Sequence, residues 1–258
     1  MMLKAMMILY GNENSNSAFS HLKERLKTDL LNAMLFLHPE KMYQTRFLKK
    51  KLECRKSIIQ SELLLSRSDK KVANTMLLKA LSIAQDFEFP DLEIQIRSIL
   101  RTQKKFDGGF EVFQRHNKRI KECIKLQEAI LKAEEHYYYI QNSNEEYINR
   151  YSDYTEYIKK ALIDIENDIK NSSSVRVRFW YYSIAVSYYI KIKNDYEKGI
   201  VLQTEFIALI KNTPAIKSKS GIAGTSMQLA HIQLSMRNYK EALPPALKAV
   251  NTFRKDSF

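Results

Sequence analysis

The sequence is poor in glycine and proline, the residues that most often form tight turns. Only six glycines and five prolines occur in 258 residues, against an average usage of about 7% and 5%. A sheet protein with many strands needs more of these residues at its turns. The shortage therefore predicts a fold made of few, long secondary-structure elements.

Patterns that hold disulfides, metals or cofactors are also missing. The two cysteines, Cys54 and Cys123, are far apart in sequence, and neither has a CxxC or Cys/His spacing around it. The five histidines have no mutual spacing typical of metal ligands, and HExxH is absent. We therefore expect free, buried thiols in a reducing compartment, with no metal site and no cofactor.

No motif of a known catalytic type is present. The segment Gly221–Ser226 contains two glycines but lacks the lysine that follows a phosphate-binding loop, and no serine lies in a GxSxG motif. The longest uncharged apolar stretch that we find, Phe179–Ile190, has 12 residues, fewer than the roughly 18–20 of a membrane span. We expect a non-catalytic, cytoplasmic protein that does not enter a membrane.

The formal net charge of +13 is distributed in blocks. Basic residues dominate Lys41–Lys71 and Arg97–Lys132, whereas acidic residues dominate Glu134–Asp168. Such blocks either neutralise one another across neighbouring helices or present a basic surface to an anionic partner. A nucleic-acid-binding helical protein that uses the basic helices 41–71 and 97–132 is therefore the alternative hypothesis for function.

Helical periodicity is clearest between Asn144 and Lys170. Apolar and threonine side chains recur there at three- and four-residue intervals, which places them on one helical face: Ile148, Tyr151, Thr155, Ile158, Leu162, Ile165 and Ile169. Asn142, Ser143 and Asn144 are predicted to cap the start of this helix. Similar patterns along the chain predict nine or ten helices and no strand.

A stripe of small residues follows the predicted helix cap Ser68-Asp69. It consists of Ala73, Leu77, Ala80, Ala84 and Phe87, and it should let a neighbouring helix approach closely. We also predict that Pro90 lies in the first turn of the next helix, where its missing N–H costs nothing.

The C-terminal region resembles a tetratricopeptide repeat. The matching residues are Leu229-Ala230, Asn238–Leu243, Ala246 and Ala249-Val250. A weaker copy runs from Trp180 to Ile200, with Gly199 where the repeat usually has alanine. The matching Tyr196 and Tyr239 are 43 positions apart, whereas the family period is about 34 residues. The resemblance covers roughly the last third of the chain well.

This resemblance implies an all-α, right-handed stack of antiparallel helix hairpins, an irregular tetratricopeptide-like α-solenoid. We expect residues 1–16 to form an N-terminal lead-in and residues 17–258 to form a single helical-repeat domain, with a sub-boundary near 171–174. Families of this kind mostly act as adaptors that hold peptides or partner helices in a concave groove.

Twelve of the fifteen tyrosines fall between Tyr137 and Tyr196. The predicted helix Arg176–Lys193 is apolar on nearly all sides and should be buried between layers, so core packing is one interpretation of these tyrosines. The other interpretation is that they face the groove, where a phenol offers apolar area and a hydroxyl. By the resemblance, the groove would be lined by Tyr181, Ile184, Tyr188, Met227, His231 and Leu234. The predicted function is a protein-interaction or scaffold module whose partner is a protein, a peptide or a second copy of the chain.

Overall fold

The computed structural model describes residues 16–34, 45–103, 109–143 and 151–254. Within these ranges the chain forms ten α-helices and no strand, which confirms the predicted helical class. The helices are α1 (Asn16–Met34), α2 (Arg46–Ser66), α3 (Lys70–Asp86), α4 (Pro90–Gln103), α5 (Gly109–Ser143), α6 (Tyr151–Ser172), α7 (Val175–Lys191), α8 (Tyr196–Asn212), α9 (Lys219–Ser235) and α10 (Tyr239–Arg254). None of these helices combines the length and the apolar character that crossing a membrane requires.

Two compact units divide the chain, Met1–Gln44 and Thr45–Phe258. The first contains α1, and the second contains α2 to α10. The predicted lead-in over residues 1–16 lies outside the described residues except for Asn16, which begins α1. The expected boundaries between the lead-in and the repeat domain therefore remain predictions.

The helices of the second unit pack mainly on their neighbours in sequence. Each consecutive pair from α2–α3 to α9–α10 is in contact, and α7 also contacts α5. This order of packing is that of a helical stack, in which a hairpin covers its apolar side with the next hairpin. Among the described helices α5 is the longest, with 35 residues, and it contacts α4, α6 and α7.

A left-handed backbone residue lies in five of the turns between helices. The φ angles are 66° at Ser68, 49° at Glu88, 51° at Ser173, 53° at Asn194 and 62° at Arg237. In three of these turns the following N–H donates to a carbonyl five residues earlier, as in the 2.8 Å bond from Phe89 to Ala84. This is the Schellman end of a helix. The chain repeats one type of turn even though it seldom has the glycine that the turn favours.

Two hydrophobic clusters form the core of the second unit. The first joins α2, α3 and α4 with Ala215 from the segment before α9. All five members of the predicted small-residue stripe are buried, and four of them belong to this cluster. Asp69 caps α3 and Pro90 begins α4, as predicted.

The second cluster surrounds α7, which lies against α5, α6 and α8. No residue from Val175 to Ile190 is exposed, so the prediction that this helix is buried between layers is confirmed. Leu202 of α8 and Ile232 of α9 complete the cluster.

Glu88, in the turn between α3 and α4, caps the start of α7. Its carboxylate accepts hydrogen bonds from Ser174 Oγ at 2.7 Å, Val175 N at 2.9 Å and Arg176 N at 3.1 Å. The Arg176 guanidinium also donates to the carbonyl oxygen of Glu88 at 3.1 Å. A carboxylate at a helix N-terminus satisfies free N–H groups and complements the helix dipole. This contact joins the turn that adjoins the first cluster to the helix at the centre of the second.

The predicted start of α6 lies outside the described residues: Asn142 and Ser143 belong to the last turn of α5, and Asn144 and Ile148 are not described. The residue pattern also predicts a helix from Pro214, and this start is wrong. The helix begins at Lys219, because the Ser218 side chain accepts from Gly221 N and caps it there.

The last helix, α10, continues through two prolines. Pro244 and Pro245 lie inside the helix, which begins at Tyr239. From the sequence, this proline pair predicts either a bend in the last helix or a helix that begins at Pro244, and the second of these expectations is wrong. Because proline has no N–H, the carbonyls of Lys240 and Glu241 lose their usual helical donors.

Candidate binding cleft

A cleft of about 400 Å³ opens between α5, α7, α8 and α9. Its lining combines three aromatic rings with three carboxamides and three serine hydroxyls: Tyr137, Tyr182, Phe206, Gln141, Gln203, Gln228, Ser183, Ser187 and Ser235. Lys191 and His231 also line it, and no carboxylate does among the lining residues that the structure describes. The cleft is thus rich in groups that donate and accept hydrogen bonds without a negative charge.

The aromatic side of the cleft is held by ring contacts. Tyr182 stacks on Phe206 with centroids 5.7 Å apart and an interplanar angle of 17°, and Tyr137 lies 4.7 Å from the Trp180 ring. Tyr182 also donates to Glu205 Oε2 at 3.0 Å. Burial, and then this hydrogen bond, raise the pKa of Tyr182. The Tyr182 phenol therefore stays neutral. Phe206 fixes the ring by stacking, and Glu205 fixes the hydroxyl by the hydrogen bond.

Gln203 connects α8 to α9 beneath the cleft. Its Nε2 donates to the Thr225 carbonyl at 2.6 Å and to Gln228 Oε1 at 3.2 Å. The residue is fully buried, and its Oε1 has no hydrogen-bond partner among the described groups. A buried acceptor without a donor costs about 1–3 kcal/mol, so the floor of the cleft is polar and incompletely satisfied.

The predicted groove residues on α7 lie mostly in the core. Ile184 and Tyr188 are only 2% and 5% exposed and belong to the second cluster. Tyr181 is half-buried and donates to Glu166 Oε1 at 2.9 Å. Burial, followed by this hydrogen bond, raises its pKa. These three side chains pack inside the stack because α7 has other helices on several sides, so they do not form an open wall.

The predicted groove residues on α9 are exposed. Met227, His231 and Leu234 recur at intervals of four and three residues, which places them on one face of the helix. His231 lines the cleft, and the other two lie next to it along the same face. The structure thus brings only one of the six predicted residues into the cleft lining, and their role in binding remains a prediction.

Sequence reasoning missed the carboxamides of the cleft. Gln141, Gln203 and Gln228 come from three different helices. Nothing in their local sequence marks them, because isolated glutamines are common on helix surfaces. Tyr137 and Tyr182 were within the predicted tyrosine-rich region, and that enrichment was the available signal.

No protein-family model matches this sequence, and no curated protein or solved structure shows significant similarity to it. The likeness to tetratricopeptide repeats therefore depends on the matching residues of the C-terminal third.

Both cysteines are buried, and His136 contacts the Tyr157 hydroxyl. Across the described ranges, no group of three or more His, Cys, Asp or Glu residues could hold a metal ion. Cys54 donates to the Ala80 carbonyl at 3.3 Å, and burial raises the pKa of both Cys54 and Cys123 to about 12. His136 Nδ1 lies 2.9 Å from the Tyr157 hydroxyl, and burial lowers the pKa of this histidine.

Several charges of the basic segments are paired with acids, on the same helix or on a neighbouring one. Lys132 Nζ lies 2.6 Å from Asp168 Oδ2, which joins the second basic segment to the acidic one. Buried Glu93 accepts from Arg97 Nε at 2.8 Å and from Arg119 Nε at 2.9 Å. Residues 41–44 and 104–108 of the basic segments lie outside the described residues. A basic block therefore meets the acidic block at Lys132 and Asp168, whereas Arg97 and Arg119 pair with Glu93, which lies outside both blocks.

Proposed function

We propose that this chain is a non-catalytic, cytoplasmic protein-interaction module that holds a peptide segment in the cleft between α5, α7, α8 and α9. The observation that carries the proposal is the cleft lining, which combines aromatic rings, carboxamides and hydroxyls. In this proposal the hairpins form a right-handed, tetratricopeptide-like solenoid, and the cleft lies on its concave side.

The chemistry of the lining supports a peptide as the occupant. Carboxamide and hydroxyl groups both donate and accept hydrogen bonds, so they complement the N–H and C=O groups that alternate along an extended backbone. Tyr137, Tyr182 and Phe206 offer apolar area for a side chain of the peptide. The volume of about 400 Å³ falls within the range of about 300–1,000 Å³ of ordinary ligand pockets.

Selection from a random peptide library, followed by calorimetric titration of the selected peptide, tests the proposal. Ser235 is exposed at the edge of the cleft, so Ser235→Trp should obstruct the cleft without disturbing the core. We expect it to weaken binding at least about tenfold, equivalent to about 1.4 kcal/mol.

Ser82→Trp is the matched control, because Ser82 is also an exposed helical serine but lies on α3, which contributes nothing to the cleft lining. This variant should bind the peptide as the unmodified protein does. Equal binding by both tryptophan variants, or no selectable peptide at all, would contradict the proposal.

A further inference from the structure

An exposed apolar face covers one side of the last hairpin of the described chain. It consists of six large side chains that are 37–67% exposed, Met227, Leu234, Tyr239, Leu243, Leu247 and Val250. We refer to these six residues as the α9–α10 face. None of them appears in the lining of the cleft, although Met227 and Leu234 lie beside His231, which does.

Helix geometry places the six residues on one side of the hairpin. Ala242 is 3% exposed on α10, which packs on α9, so it faces α9. Ala230 is 1% exposed and points about 160° away from Ile232, which packs in the second cluster, so we infer that it faces α10. At about 100° per residue, Met227 and Leu234 are rotated about 40–60° from Ala230, and the four residues of α10 are rotated about 60–140° from Ala242 in the same sense. Because the two helices run antiparallel, rotation in the same sense from the contact between them places all six side chains on the same side of the hairpin.

The size of this face matches what a dimer needs. Taking roughly 200 Å² for a large side chain and an exposure near one half, the six residues present on the order of 600 Å². Two such faces would bury about 1,200 Å² in total, which is the lower bound of a standard specific interface. A patch of about 600 Å² is also the upper limit for typical monomers.

We propose that the α9–α10 face is a self-association surface, on which a second copy of this chain docks through the same face about a two-fold axis. The area argues for a second copy as the occupant, because a two-fold contact pairs the same face of both copies. None of the six residues is charged, so these side chains bring no unpaired charge into the contact.

Sedimentation equilibrium at about 1–100 µM, a range that spans typical weak dimer affinities, tests this proposal. We expect the unmodified protein to be a dimer within this range. Leu243 is 59% exposed, so Leu243→Glu should leave the fold intact while placing a charge in the interface. It should raise the dimer dissociation constant at least about tenfold, and the uncharged variant Leu243→Asn should change it in the same direction.

The matched control is Leu63→Glu, since Leu63 is 61% exposed and lies on α2. It adds the same charge to an equally exposed leucine and should leave dimerisation unchanged. Circular dichroism confirms that each variant is folded. A protein that stays monomeric at all concentrations, or that loses dimerisation equally in Leu63→Glu and Leu243→Glu, would overturn the proposal.

Discussion

The contact between Glu88 and the start of α7 offers a sharp test of how the two hydrophobic clusters are held together. Glu88 has a φ of 49°, a left-handed conformation that glycine adopts more easily. Its carboxylate also accepts hydrogen bonds from Ser174, Val175 and Arg176. Glu88→Gly therefore relieves backbone strain and removes a helix cap at once.

The two effects have opposite signs and different sizes. Relief of the left-handed conformation stabilises the folded state by up to about 1–2 kcal/mol. The greater freedom of glycine in the unfolded chain reduces this gain by about 0.5–1 kcal/mol. Loss of the cap costs about 0.5–2 kcal/mol, and loss of the charge at the helix N-terminus costs up to about 2 kcal/mol. We expect Glu88→Gly to lower the free energy of unfolding by about 1–2 kcal/mol.

Ser68→Gly measures the backbone effect alone, because it leaves the cap of α7 in place. Ser68 has a φ of 66° in the same type of turn, but it is exposed and its turn joins only α2 and α3. This variant should be more stable by about 0.5–1 kcal/mol. Urea denaturation followed by circular dichroism measures both free energies. If Glu88→Gly stabilises the protein as much as Ser68→Gly does, the carboxylate is not a cap of any energetic importance.

Two further substitutions test the core. Glu93→Gln should lower the free energy of unfolding by about 3 kcal/mol at neutral pH, whereas exposed Glu122→Gln should have little effect. Burial alone would raise the pKa of Glu93, but hydrogen bonds from the two arginines hold it below the ordinary 4.5. The ionised carboxylate therefore stabilises the folded protein above pH 4.5, and this stabilisation is lost as the pH falls through the lowered pKa. Urea titrations at several pH values measure this. If the difference in unfolding free energy between Glu93→Gln and the unmodified protein persists at low pH, the ionised carboxylate is not its cause.

Gly199→Ala places a Cβ 2.7 Å from Ile190 Cγ1 and should lower the melting temperature, at a cost of about 1–2 kcal/mol. A Cβ at Gly224 would meet nothing within 4 Å. Gly224→Ala should therefore raise the melting temperature, because alanine favours the helix more than glycine does. Equal shifts in the two variants would refute the close contact.

The helices were largely predictable because their signals are local. The small-residue stripe from Ala73 to Phe87 and the all-round apolar character of α7 follow from residue spacing alone, and the stripe and the helix are both buried as predicted. The ends of helices were less predictable. Asn142 and Ser143 are good capping residues, yet they lie in the last turn of α5, and asparagine is found at helix ends as well as at helix starts.

The cleft was predictable only in His231 and in its tyrosines. Ile184 and Tyr188 were assigned to the groove by the tetratricopeptide resemblance, whereas in the structure they lie in the core. The same apolar residue is suited to a core and to a groove, and periodicity cannot tell which side of a helix another helix covers.

The sequence by itself determined the helical class, most helix positions and the burial of α7, since each depends on side chains within about four residues of one another. Only the tertiary structure decided which side chains meet across the chain. Glu88 and Ser174 are 86 positions apart, and the carboxamides of the cleft come from three helices. Such contacts depend on how the hairpins stack, and no local pattern of residues specifies that arrangement.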